Sequence, residues 1–192
     1  MLLWKRTKRK NLRRQIFDIM ERMGRMLYNA GDTVLYGARG VCRITDIEEN
    51  EMTGKKVKYY ILRPVYDEKA KIFVPTTNET LCAKMRRTLS IKEIYALIKS
   101  MKKEETNWIQ DENQRRREYK QILTGGDCKE IIKVIQTLHQ HQQTQIEDGK
   151  KLHVADERLM KDAEQILHEE FAYVLDIQPE EVLSFIVEQI DA

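Results

Sequence analysis

The chain has 192 residues, 34% of them charged and 41% hydrophobic, a composition typical of soluble folded proteins and unlike that of collagenous or wholly disordered chains. No apolar run approaches the roughly 20 residues of a membrane span. The three cysteines, Cys42, Cys82 and Cys128, form no Cys-x-x-Cys pair, so neither a disulfide framework nor a zinc site is signalled and a reducing cytoplasm fits best.

The net charge of +3 hides an uneven distribution. Residues 1–25 carry nine Lys or Arg against Asp18 and Glu21, a surplus of +7 that leaves −4 for the rest. A basic arm of this kind suits nonspecific contact with nucleic acid or an anionic membrane surface. It lacks the apolar core and small-residue cleavage site of a secretory signal. Met20, Met23 and Met26 are alternative starts, so two readings of the arm stay open: a genuine basic extension, or a misassigned start.

From Gly31 the texture changes to short segments rich in Val, Ile, Tyr and Thr between turn residues, the pattern of strands. Thr33 to Tyr36 is the first, Gly37 to Gly40 a turn, and Val41 to Ile47 the second. Glu48 to Lys55, with Thr53-Gly54-Lys55, reads as a hairpin connection to Lys56–Leu62. Pro64 ends that arm, Lys71 to Val74 is closed by Pro75, and Leu81 to Arg87 supplies a fifth strand. Five short strands avoid exposed edges by curling into a small SH3- or Tudor-like β-barrel, placed here at residues 26–88.

After Thr88 the apolar period becomes 3.6. Ser90 with Glu93 forms a capping box ahead of Ile94, Tyr95, Leu97, Ile98 and Met101. Beyond the polar link Lys102–Glu105, Thr106 or Asn107 caps a helix starting near Trp108, which Gly125-Gly126 stops. Asp127 with Glu130 is a second capping box, opening a helix that carries Ile131, Val134, Ile135 and Leu138; His139 to Gln145 is its solvated end or a loop. Ala155 to Leu175 and a final helix from Pro179 complete an all-α domain over residues 89–192. The fold class is α+β, an N-terminal barrel followed by a C-terminal helical domain.

Where the two halves meet, Thr106-Asn107-Trp108 is followed by Arg115-Arg116-Arg117. An indole beside guanidinium groups suits a protein that holds phosphates and wedges between stacked bases. Read from the residues alone, Trp108 packs inside the bundle and the cations form a solvated face. Arg116 and Lys120, at i and i+4, share one side of the helix and are the better phosphate candidates. His139, His141, His153 and His168 make no zinc pattern, and neither a phosphate-binding loop nor a nucleophile elbow occurs. No catalytic residue, metal site or cofactor is expected, and the chain does not read as an enzyme.

Gly31-Asp32-Thr33-Val34-Leu35-Tyr36, Gly40-Val41-Cys42, Tyr59-Tyr60-Ile61-Leu62 and Val74-Pro75 resemble the RNA-polymerase-interacting module of the CarD family, a module shared with transcription-repair coupling factors. Thr106-Asn107-Trp108, Arg117-Glu118-Tyr119-Lys120, Gly126-Asp127 and Ala163-Glu164-Gln165-Ile166-Leu167 resemble the helical DNA-binding domain of CarD and its CdnL-type relatives. The resemblance covers about residues 26–175.

The resemblance implies a cytoplasmic, nucleoid-associated bacterial transcription regulator, monomeric and off the membrane. It implies docking on the β subunit of RNA polymerase and contact with promoter DNA, Trp108 entering the minor groove at the upstream fork. The site residues it implies are Trp108, Asn107, Arg115, Arg116, Arg117 and Lys120 for DNA, and Phe73, Lys71 and Tyr36 for polymerase. Two departures stand out. Ile109–Gln114 is longer than the usual gap and includes Asp111 and Glu112, and Phe73 occupies a position where some relatives present a basic residue. A different class of function stays open: an adaptor that docks on polymerase and never touches DNA, in keeping with the near-neutral body of the chain.

Overall fold

The computed structural model describes residues 28–51, 56–67, 69–101 and 107–191. The basic arm, the Thr53-Gly54-Lys55 turn, the Lys102–Glu105 link and Thr106 lie outside these residues. The described residues divide into two compact units, one built from those within 28–34 and 42–85, the other from those within 35–41 and 86–191.

Five strands, β1 (Thr33–Tyr36), β2 (Val41–Asn50), β3 (Val57–Pro64), β4 (Ile72–Pro75) and β5 (Met85–Arg87), form one sheet in the order β4-β3-β2-β1-β5. β2 and β3 pair antiparallel from Cys42 opposite Pro64 to Asn50 opposite Val57, with a bulge between Ile44 and Asp46. Tyr59 to Leu62 are all buried, so this central strand is covered on both faces. Tyr28 packs edge-on against Tyr60 with ring centroids 6.0 Å apart.

The expected closed barrel is not what forms: the sheet is open, with β4 and β5 as its edges. Closure is unnecessary because both edges are short, four and three residues, and β4 ends in a proline that cannot extend a ladder. The expected strand Leu81–Arg87 is also shorter. Asn78 Oδ1 accepts a hydrogen bond from the Leu81 amide at 3.0 Å, turning Glu79–Cys82 into a helical turn, α1.

Among the described residues the second unit holds five α-helices, α2 (Ile91–Met101), α3 (Glu112–Gly125), α4 (Cys128–Glu147), α5 (Val154–Leu175) and α6 (Val182–Asp191), and two 3-10 turns, Gly37–Arg39 and Pro179–Glu181. The Ser90–Glu93 capping box starts α2, with the Ser90 amide and hydroxyl each donating to Glu93 Oε2 at 2.8 Å. α3 stops at Gly126, whose φ of 64° is costly for any residue with a Cβ and whose amide donates to Ile122 and Leu123 carbonyls. α4 extends to Glu147, so the Gln/His stretch is helical throughout. α5 runs along α3, α4 and α6 and buries Leu159, Ala163, Ile166, Leu167 and Phe171, the stripe its period predicts.

A polar cluster around Glu170 sits inside this unit. Glu170 on α5 is fully buried and receives both Arg86 terminal nitrogens at 2.6 Å, the Leu89 amide at 2.9 Å and the Cys128 thiol at 2.9 Å. Arg86 Nε also donates to the Gly126 carbonyl at 2.7 Å. Burial disfavours the Arg86 charge, but the bonds to Glu170 outweigh it and hold the guanidinium above its ordinary range. Burial, then the Glu170 carboxylate, pushes the Cys128 thiol far up, so it remains a protonated donor.

Candidate nucleic-acid interface

Asp111, not Thr106 or Asn107, begins the helix behind the tryptophan: its Oδ1 accepts from the Gln114 amide at 2.6 Å. A carboxylate at an N-cap satisfies an orphan amide and meets the positive end of the helix dipole. Residues 107–110 consequently remain outside the helix, with Asn107 exposed and Trp108 half-buried. The two carboxylates of this stretch each have a local partner. Asp111 is a cap, and Glu112 accepts from Arg116 at 3.0 Å while lying 3.8 Å from His153 Nδ1.

Helix α3 buries Arg115, Tyr119 and Leu123, four residues apart along one side. Arg115 is only 5% exposed. Its Nε and Nη2 form a fork with the two Asp156 oxygens at 2.9 and 2.7 Å, and Nη1 donates to the Ile109 and Gln110 carbonyls at 2.7 and 3.3 Å. The Asp156 fork holds the Arg115 guanidinium above its ordinary range against the opposing effect of burial. Arg115 therefore braces the loop that carries Trp108, and the structure places it in the interior and not on the phosphate-facing side expected from the sequence. The Tyr119 hydroxyl, buried beside it, has no hydrogen-bond partner among the described residues.

The indole itself has two aromatic or cationic neighbours. Arg115 Cζ lies over the ring 4.1 Å from its centroid, and the His141 imidazole from α4 stacks on it at 3.5 Å with 19° between planes. Burial, then the Arg115 charge, lowers the His141 pKa, opposed by Asp156. Burial also lowers that of His168, opposed by Glu164.

Both imidazoles therefore prefer to be neutral in the folded state, while the unfolded chain takes up protons near pH ~6.5. Their contribution to stability is complete above about pH 6.5 and is lost as pH falls through the depressed folded-state values. Thermal unfolding midpoints should drop on acidification from about pH 7 toward pH 5, and drop less in a His141→Gln/His168→Gln variant; equal slopes would refute this assignment.

Of the other predicted DNA residues, Arg117 and Lys120 are exposed, and Arg116 is half-buried in its bond to Glu112. On the sheet, Lys71 and Phe73 come together at edge strand β4, the ammonium 5.0 Å from the Phe73 centroid and 3.9 Å from Glu48. Phe73 is half-buried, opposite Ile61. Tyr36, on β1, is buried. Sequence reasoning missed Asp156 and His141. Only an arginine on an otherwise apolar helix side hinted at a buried counter-charge, and nothing in the sequence places His141 on the ring.

Among the described residues, no group of His, Cys, Asp or Glu is arranged to hold a metal ion, and no helix is long and apolar enough to cross a membrane. No curated protein matches the chain. Two family matches divide it between them: the CarD-like/TRCF RID domain over residues 28–89 and the CarD C-terminal domain over residues 93–187. Such domains belong to transcription-related, RNA-polymerase-interacting proteins of a regulatory and non-enzymatic kind. With both domains present in family order over well more than half of its length, the chain belongs to the CarD family.

Proposed function

We propose that this protein docks on the β subunit of bacterial RNA polymerase through its N-terminal domain, residues 26–88, and stabilises the promoter open complex through its helical domain, residues 89–192. Trp108 contacts the minor groove at the upstream fork, Arg117 and Lys120 with Arg116 meet the phosphates, and Asn107 flanks the wedge. Lys71, just ahead of edge strand β4, and Phe73 on it face polymerase, where a partner strand can pair along Ile72–Val74 before Pro75; Tyr36 is buried on β1, separated from β4 by β3 and β2. The observation that carries this reading is a braced indole immediately preceding a helix with exposed cations. Arg115 supports it as the brace.

Base–aromatic stacking is worth about 1–3 kcal/mol, and about 1.4 kcal/mol changes an equilibrium tenfold. Trp108→Ala is therefore expected to shorten open-complex lifetime about tenfold while leaving thermal stability nearly intact, measured by competitor challenge on a promoter fragment. An unchanged lifetime would sink the DNA contact.

The adaptor reading is favoured by a specific observation: the indole is already occupied by His141 and Arg115, and Arg115 is committed to Asp156. The two readings separate by salt. Phosphate contacts make affinity for forked promoter DNA fall steeply with salt, whereas an adaptor shows no DNA contribution.

A further inference from the structure

The geometry points to His141 as a place-holder for an unpaired nucleobase: it occupies the face of Trp108 on which a base stacks, and DNA engagement displaces it. This inference rests on the DNA-contact reading proposed above and adds a residue and a direction of effect to it.

Two flat groups, each within about 4 Å of one ring's centroid and lying over that ring, cannot share a face, because each needs its own contact thickness of roughly 3.5 Å. His141 at 3.5 Å and Arg115 at 4.1 Å therefore cover opposite sides of the indole. Neither face is open to a base while both stay in place, so one neighbour must leave.

The two are held very differently. Arg115 is 5% exposed, forked onto Asp156 and bonded to the Ile109 and Gln110 carbonyls. Moving it would strand the buried Asp156 carboxylate and free the loop that carries the tryptophan. His141 is half-buried, its ring has no hydrogen bond among the described residues, and it stacks on the indole. A rotamer change on α4 is enough to withdraw it. An imidazole lying 19° from parallel presents to the indole what a base presents, a flat heteroaromatic ring at stacking distance.

Arg115 then has a second consequence. A cation behind the ring on the face away from DNA stays in place when His141 leaves, so the indole remains oriented and backed. The base-stacking site thus has a fixed floor, Trp108 on Arg115 and Asp156, and a removable cover, His141. His141 acts through Trp108 and needs no contact with DNA of its own.

The test is a gain of function, which misfolding cannot imitate. With the full chain, RNA polymerase and a promoter fragment, His141→Ala is expected to lengthen open-complex lifetime about threefold to tenfold, the range set by loss of one aromatic stack. The same substitution in a Trp108→Ala background is expected to do nothing. If Trp108→Ala shortens the lifetime but His141→Ala leaves it unchanged or shortens it, His141 is not a competing cover and the inference falls while the DNA contact stands. If Trp108→Ala has no effect, the DNA contact falls and takes this role of His141 with it. A second measurement needs no DNA: in a Trp4→Phe variant, where Trp108 is the sole indole, His141→Ala should increase quenching of its emission by acrylamide. Unaltered quenching overturns the cover.

Discussion

Replacing Glu170 by alanine should lower folding stability by about 3–5 kcal/mol, because it removes one partner of a buried ion pair and leaves the other charge behind. Glu170 has no exposed surface, and the Arg86 side chain is 15% exposed. The variant would also deprive the Leu89 amide and the Cys128 thiol of their acceptor. With urea m-values of about 1–3 kcal/mol/M, the unfolding midpoint should fall by roughly 2 M. A joint Arg86→Met/Glu170→Leu change should recover part of the loss, since apolar replacements remove the uncompensated charge but leave the Leu89 amide and the Gly126 carbonyl without their partners. The exposed Arg87–Glu93 pair has comparable contact geometry but stands in solvent, so Glu93→Ala should cost much less. A Glu170→Ala loss as small as that of Glu93→Ala would show that the buried cluster is not a determinant of stability.

Asp156→Ala should have the second large effect, about 3 kcal/mol, again by stranding a buried guanidinium. Its consequence reaches the candidate interface. Without Asp156, Arg115 loses the fork that fixes it under Trp108 and over the Ile109 and Gln110 carbonyls. In the Trp4→Phe background the emission of Trp108 should move to longer wavelength as the indole becomes wetter, and Asp156→Asn should give an intermediate shift because one acceptor survives. Stability within about 1 kcal/mol of the parent together with unmoved emission would mean that Arg115 does not depend on Asp156.

The local signals in the chain were legible to the extent that they were local. The Ser90–Glu93 box, the Gly126 stop and the Asp127 cap each concern atoms a few residues apart, and each forms where the residues place it. Two such signals lose to a neighbour. Asn78 outbid the β-propensity of Leu81 and Cys82, and Asp111 outbid Asn107 as the start of α3. In both cases a short side-chain acceptor three residues ahead of an unpaired amide decided the outcome. The barrel expectation failed for another reason: alternation identifies strands, but whether the last edge meets the first depends on pairings the pattern does not contain.

The candidate site divides in the same way. That residues 107–120 combine an indole with a run of cations, and that two domains follow one another in this order, is determined by the amino-acid sequence alone, because residue types and their short-range periodicity suffice. Which arginine turns inward, and that His141 covers the indole, depend on contacts between residues tens of positions apart: Arg115 with Asp156, Trp108 with His141. Those contacts exist only once α3, α4 and α5 have packed, since burial and a fixed counter-charge, not residue type, separate the inward Arg115 from its exposed neighbour Arg117.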